Sequence, residues 1–164
     1  MNKRELTVEK LPDVALENFG SKTVVIIRTD WEKTETGYSC NVSRSIMSTE
    51  DITDDVVSKM NEDPGAFYRA LTAKNLQGEY EKAVDEWMDK AVQKKGYTNL
   101  LSCVSYKDST DEIFRKEGMA ASVWRDKVYR AMYNSLNDYI AGKIELPTIS
   151  EFTDTLPPLP EELM

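Results

Sequence analysis

The chain has 164 residues, enough for one domain or for one small domain with an appendage. Its 21 lysines and arginines against 29 aspartates and glutamates give a net charge of −8, which argues against nucleic acid or an anionic membrane as the main partner. The absence of histidine and the presence of only two cysteines exclude histidine-based catalysis and both histidine and four-cysteine metal sites. Carboxylates on a helix could hold a hard divalent cation, but no loop has the spacing of an EF-hand, so we expect no bound metal and no cofactor.

Residues 1–47 are predicted to form a small β region. Residues 23–28 are a β-branched run typical of a buried strand, and Tyr38, Cys40 and Val42 alternate with small polar residues as in a second strand. The polar segment that ends at Gly37 between them predicts a β-hairpin. Because a lone hairpin is marginal in water, we expect it to pair with a third strand, a helix or another chain, and residues 6–8 are the candidate third strand.

Residues 48–145 are predicted to form a helical domain. A first short helix carries Ile52, Val56 and Met60 on one face, and a second short helix begins at Pro64 after the capping residue Asp63. A third helix is predicted over 78–95 and ends at Gly96, followed by short helical turns over 97–106.

The longest helix is predicted over 111–141, from a capping box formed by Ser109 and Glu112 to the stop at Gly142. At 1.5 Å per residue it is about 45 Å long, and its apolar stripe exceeds what the third helix covers. The two helices are expected to form an antiparallel hairpin, with four predicted core residues: Trp87, Trp124, Val128 and Tyr139. The uncovered part of the stripe must pack against the hairpin region, the short helices or another subunit, so an oligomer is one of the alternatives.

Residues 146–164 are predicted to form an extended acidic tail, because their four prolines disfavour a long helix. Such a tail either lies on its own helices as an ordered strap, frays, or docks into a groove of a partner. The predicted fold class is therefore α+β: a small N-terminal β-hairpin region (1–47), a helical region with a long antiparallel helical hairpin (48–145), and an extended Pro-rich C-terminal tail (146–164).

The sequence shows no catalytic motif. Its acidic clusters lie on predicted amphipathic helices and are typical of solvated faces, and Cys103 has no histidine to serve as its base. The glycines do not have the spacing of a phosphate-binding loop. We therefore predict a protein without enzymatic activity.

The second half of the chain carries a recognisable pattern over roughly residues 79–160. It consists of the run 91–101, the segment 105–109, Phe114, the pair 117–118, Ala120, the run 124–129 and the proline-rich end 156–160. This pattern resembles the C-terminal module of small tail-associated proteins of tailed bacteriophages. It is also loosely similar to the C-terminal end of tail-fibre assembly chaperones.

The resemblance implies a non-enzymatic protein that binds a tail fibre or another tail component, as assembly chaperone or as virion adaptor. The alternative is a phage anti-host protein that binds and inhibits a bacterial protein. The residues we expect to contact the partner are Trp31 and Tyr38 in the hairpin, and Leu156, Pro157, Pro158, Leu159 and Pro160 in the tail. Because no apolar run of a secretory signal opens the chain, we expect the host bacterial cytoplasm as its location during assembly, with a place in the virion left open.

Overall fold

A computed structural model of the chain describes residues 3–164, with side chains from Arg4 onward. The chain divides into two compact units, Met1–Lys74 and Asn75–Met164. The first contains an antiparallel sheet and the second is helical, so the predicted α+β class is confirmed.

The sheet of the first unit has four antiparallel strands in the order β1-β4-β3-β2. They are β1 (Lys3–Thr7), β2 (Val14–Phe19), β3 (Lys22–Thr34) and β4 (Gly37–Ser48). The predicted hairpin corresponds to β3 and β4, and the expected third strand corresponds to β1, which pairs with β4. Strand β2 was not predicted, because its sequence Val-Ala-Leu-Glu-Asn-Phe lacks the alternation that identified the others.

Strand β3 contains a β-bulge at Asp30 and Trp31. Thr29 faces Asn41 and Glu32 faces Ser39, so β3 has one more residue than β4 over this stretch. Asp30 has a φ of +54°, and its Oδ2 accepts hydrogen bonds from Asn41 Nδ2 (2.9 Å) and Thr29 Oγ1 (3.1 Å). The bulge brings Trp31 onto the same face of the sheet as Ile26.

Both faces of the sheet carry apolar clusters. On one face, Val25 and Ile27 pack with Met60 of helix α1 (Asp54–Glu62). On the other face, Ile26, Cys40 and Val42 form a second buried cluster, against which Trp31 packs. Because successive side chains of a strand point to opposite faces, β3 contributes residues to both clusters, one on each side of the sheet.

Helix α2 (Pro64–Gln93) is continuous over 30 residues. The prediction of two separate helices, one from Pro64 and one over 78–95, is wrong. Residues 72–77 contain no proline, and Gly78 costs only about 1 kcal/mol relative to alanine in a helix interior, too little to break a helix whose apolar side is packed. The predicted cap is present, since Asp63 Oδ1 accepts the backbone N–H of Ala66 at 2.8 Å.

The second unit contains the predicted antiparallel helical hairpin, formed by α4 (Glu112–Ile140) and the part of α2 that follows Lys74. The Tyr133 hydroxyl donates to Glu81 (3.0 Å) and the Tyr129 hydroxyl donates to Asp85 (2.6 Å). Residue numbers thus increase along α2 in the direction in which they decrease along α4, so the two helices are antiparallel. The short helix α3 (Leu100–Val104) and a 3₁₀ turn (Ser105–Asp108) connect them.

The predicted capping box at Ser109 and Glu112 is not formed. Asp111 caps α4 instead: its Oδ1 accepts the backbone N–H groups of Ile113 (2.9 Å) and Phe114 (3.2 Å). A carboxylate is the stronger acceptor at the positive end of a helix, which accounts for its use here. The hydroxyl of Ser109 instead accepts the N–H of Asp111.

The C-terminal segment is less extended than predicted. It contains helix α5 (Ile149–Asp154), which begins with a capping box between Thr148 and Glu151, and a 3₁₀ turn (Glu161–Leu163). Phe152, Leu156 and Leu163 are buried in the same core as Trp124. Of the three interpretations of the tail, the ordered strap on its own helices is the one that the structure has.

The two units also differ from the three predicted domains, whose boundaries lie at 47/48 and 145/146. Helix α1 packs on the sheet, and Phe67 and Tyr68 at the start of α2 pack against the same cluster, so the first unit extends to Lys74. The C-terminal segment packs on the helices, so residues 146–164 belong to the second unit.

Candidate functional site

A groove in the second unit lies between α4 and the end of the chain, and we call it the C-terminal groove. Its first wall is the face of α4 that carries Lys116, Met119, Val123 and Lys127. Its second wall is residues 157–162 with Met164, and Trp124 lies beneath it. The groove encloses about 780 Å³, within the range of cavities that hold ligands and side chains of partners.

The α4 wall is the face of the helix that points away from the core. Ala121, Trp124 and Val128 point into the core, whereas Met119 and Val123 are one turn apart on the opposite side and are each 56% exposed. Two neighbouring exposed apolar side chains next to a groove mark an interaction surface more than single exposed residues do.

The second wall is fixed in place by contacts on both sides. The indole Nε1–H of Trp124, which is 2% exposed, donates to the carbonyl oxygen of Pro157 at 2.8 Å. Leu156 and Leu163, which flank the wall, are both buried in the core. Prolines also restrict the backbone of the wall, so it is preorganised and little ordering is required when a partner binds.

The two walls carry opposite charges. Lys116 and Lys127 lie on the α4 wall, and Glu161 and Glu162 lie on the other. Lys116 pairs with Glu112 one turn before it (2.8 Å). Within residues 4–164 the structure has no ion pair that involves Lys127, Glu161 or Glu162, so these three charges are available to a partner.

The groove brings together four of the residues predicted to contact a partner, Pro157, Pro158, Leu159 and Pro160. Leu156 lies in the core at 7% exposure and supports the wall from behind. The groove also contains Met119 and Val123, which the sequence analysis missed. Their signal was present as apolar residues on the polar side of the α4 pattern.

Trp31 and Tyr38 belong to the first unit, whereas the residues of the C-terminal groove belong to the second. Their rings meet edge to face with centroids 6.3 Å apart, and both side chains are half-buried. Trp31 Nε1 donates to Asp13 Oδ1 at 2.6 Å, and the ammonium group of Lys10 lies 5.7 Å from the Trp31 ring. The contacts of both rings that the structure shows are with residues of the first unit, and their contact with a partner stays a prediction.

The four predicted core residues all belong to the second unit. Trp124, Val128 and Tyr139 are buried, and Trp87 is half-buried with its ring 5.3 Å from that of Trp124. The tryptophan pair therefore joins α2, α4 and, through Pro157, the wall of the groove.

A second depression, of about 400 Å³, surrounds Glu117 near the start of α4. The Tyr97 hydroxyl donates to Glu117 Oε2 at 2.5 Å, and Lys95 Nζ lies 3.6 Å from Glu117 Oε1. Burial, together with this hydrogen bond, raises the pKa of Tyr97. The carboxylate is already satisfied by two partners from its own chain, so we assign this cluster a structural role.

The two cysteines are buried free thiols. Burial and the nearby Glu117 raise the pKa of Cys103 to about 11, and burial is also the main cause that raises the pKa of Cys40. Both are therefore thiols at neutral pH, and a thiol is a far weaker nucleophile than a thiolate. This environment is typical of cysteines that fill a core.

Within residues 4–164, no group of three or more cysteine, aspartate or glutamate side chains is arranged to hold a metal ion. None of the helices described for this chain has the length and apolar character needed to cross a membrane. Comparisons with protein-family models, with curated proteins and with solved structures found no match to this chain. The function is therefore inferred from its own residues.

Proposed function

We propose that this chain is a non-enzymatic protein of a tailed bacteriophage that binds a tail fibre or another tail component, as assembly chaperone or virion adaptor. The observation that carries the proposal is the C-terminal groove, in which Met119 and Val123 are exposed beside a fixed proline-rich wall. An open apolar groove with a charged rim is typical of surfaces that bind another protein.

The resemblance to phage tail-associated proteins supports the tail as the place of binding. The residues that carry it, within 91–160, belong to the unit that contains the groove. They include Trp124 and Pro157, which are joined by the hydrogen bond that fixes the wall. The pattern that resembles the phage proteins thus includes residues of both walls of the groove, among them Trp124, Lys127 and Pro157, but it does not include Met119 or Val123.

The first test is to co-express the chain with the tail fibre of the phage that encodes it and to measure co-purification. Val123→Glu places a charge on the apolar wall and is expected to reduce co-purification at least about tenfold. Val8→Glu is the matched control, because Val8 is 82% exposed in the other unit. Equal binding by both variants would contradict a role for the groove.

Mass spectrometry of purified virions distinguishes the two forms of the proposal. Stoichiometric presence in the particle indicates an adaptor, whereas absence combined with insoluble fibres when the chain is missing indicates a chaperone. Fibres that assemble normally without the chain, in particles that lack it, would overturn the tail proposal. The anti-host alternative would then predict a host protein whose binding is lost in Val123→Glu.

A further inference from the structure

Given that the C-terminal groove binds a protein partner, as proposed above, we infer that its occupant is an amphipathic α-helix of about three turns. The helix carries acidic residues along the flank that faces α4 and basic residues along the flank that faces Glu161 and Glu162. Backbone chemistry, groove length and charge each support one part of this description.

The backbone of the groove favours a helix over an extended peptide. Pro157, Pro158 and Pro160 have no backbone N–H, and the carbonyl of Pro157 is already bonded to Trp124. The other wall is an α-helix, whose interior amides are bonded within the helix. An extended peptide would find few backbone partners here, whereas a helix satisfies its own backbone groups.

The length of the groove sets the length of the occupant. Lys116 and Lys127 mark the two ends of the α4 wall, and their separation along the helix axis is about 16 Å, or three turns. Met119 and Val123 lie between them, one turn apart, and match apolar anchors spaced three or four residues apart on the incoming helix.

The charges determine its orientation about its own axis. Lys127 on one wall, and Glu161 and Glu162 on the other, have no ion pairs among the described residues. A helix whose acidic flank faces Lys127 has its basic flank facing the two glutamates. The reverse placement brings like charges together on both sides, which disfavours it.

The test selects binders from a random display library of peptides of about twelve residues, about 18 Å long as helices. The full chain is the target, and Val123→Glu is used to remove peptides that bind elsewhere. We expect the selected peptides to bind Val123→Glu at least about tenfold more weakly than the wild-type chain, and to gain helical circular dichroism when they bind.

Charge reversal then tests the orientation. Lys127→Glu is expected to weaken the selected peptides about two- to fivefold, and replacement of their acidic residue by lysine is expected to restore binding. Lys33→Glu is the matched control, since it changes the net charge equally at an exposed site in the first unit.

The outcomes separate this inference from the proposed function. If the peptides that depend on the groove contain prolines or bind in an extended form, the inference of a helical occupant is wrong, but the proposal that the groove binds a protein is still supported. Insensitivity to Lys127→Glu overturns the charge assignment. Failure to enrich any peptide sensitive to Val123→Glu counts against the helix, while fibre co-purification that depends on Val123 still supports the proposed function. Self-association of the chain that Val123→Glu abolishes identifies a second copy as the occupant and overturns the inference.

Discussion

The indole of Trp124 donates a hydrogen bond to the carbonyl oxygen of Pro157 at 2.8 Å. Trp124→Phe keeps an aromatic ring in the core but leaves that carbonyl without its partner, and we expect a loss of about 1–3 kcal/mol in the free energy of unfolding. Hydrogen exchange should also become faster at residues 159–164. Both effects are measured on the purified chain, by urea denaturation and by mass spectrometry.

Trp87→Phe is the control for this change. Its ring packs on Trp124, but within residues 4–164 its indole nitrogen has no hydrogen bond. The same substitution should therefore cost less and leave exchange at residues 159–164 unchanged. Equal losses in the two variants would show that ring packing alone matters at Trp124.

The last two residues differ sharply in exposure, 1% for Leu163 and 71% for Met164. Leu163→Ala removes a buried side chain from the core that contains Trp124, and we expect a loss of about 2–5 kcal/mol. Met164→Ala should change the stability by no more than about 0.5 kcal/mol. Denaturant titrations give both values, and a small effect of Leu163→Ala would contradict docking of the C-terminal segment.

Two glycines in long helices predict opposite responses to alanine. A Cβ at Gly118 of α4 would lie 2.7 Å from the carbonyl carbon of Tyr106 and 2.9 Å from Cα of Lys107, so Gly118→Ala should destabilise the chain by about 1–3 kcal/mol. A Cβ at Gly78 of α2 would meet no described atom within 4 Å beyond the backbone of its own helix and its chain neighbours, so Gly78→Ala should stabilise the chain by about 0.5–1 kcal/mol. Thermal unfolding measures both shifts, and effects of the same sign would contradict the close approach at Gly118.

The raised pKa of Cys103 predicts a loss of stability at alkaline pH. Burial and Glu117 raise this pKa from 9.0 to about 11, so the folded state holds the thiol proton more tightly than the unfolded state does. This contribution is complete below pH 9 and is lost as the pH rises towards 11. Burial also raises the pKa values of Tyr80, Tyr97 and Tyr129, which adds to the same trend.

Urea denaturation at a series of pH values checks this trend. In Cys103→Ala the free energy of unfolding should decrease less steeply above pH 9 than in the wild-type chain, even if the variant is less stable at every pH. At neutral pH a thiol-specific reagent should modify both cysteines slowly in the folded chain and rapidly after unfolding. Parallel pH profiles of the two chains would contradict the assignment.

The parts of the fold that could be predicted from sequence are those encoded by local patterns. The hairpin of β3 and β4 follows from β-branched and alternating residues around a polar turn, and the hairpin of α2 and α4 follows from two apolar stripes. Each of these patterns is contained in the sequence of a single strand or helix. The stop at Gly96 and the cap at Asp63 are equally local.

The parts that could not be predicted depend on tertiary contacts. Gly78 lies within a continuous helix because packing outweighs the cost of one glycine, and β2 is a strand because β3 offers it a partner. The choice between Ser109 and Asp111 as cap was a competition between two nearby acceptors. Local propensity does not decide such cases.

The same distinction applies to the candidate site. The proline-rich residues can be identified as a candidate surface from sequence because their composition is unusual, and the structure places 157–160 on a wall of the groove. Met119 and Val123 become part of a site only because the C-terminal segment folds back beside α4. No pattern within α4 alone indicates where that segment lies.

The extra residue in β3 changes how the strand must be aligned or redesigned. Up to Thr29, alternate residues of β3 point to the same face of the sheet. From Trp31 onward the assignment of residues to the two faces is shifted by one position. A deletion of Asp30 would remove the bulge and restore a single frame, in which Trp31 lies opposite Cys40 and keeps its place on the face that holds Ile26. A gap placed at this position in an alignment of related chains, or a one-residue insertion there in a designed one, would therefore be structurally meaningful rather than noise.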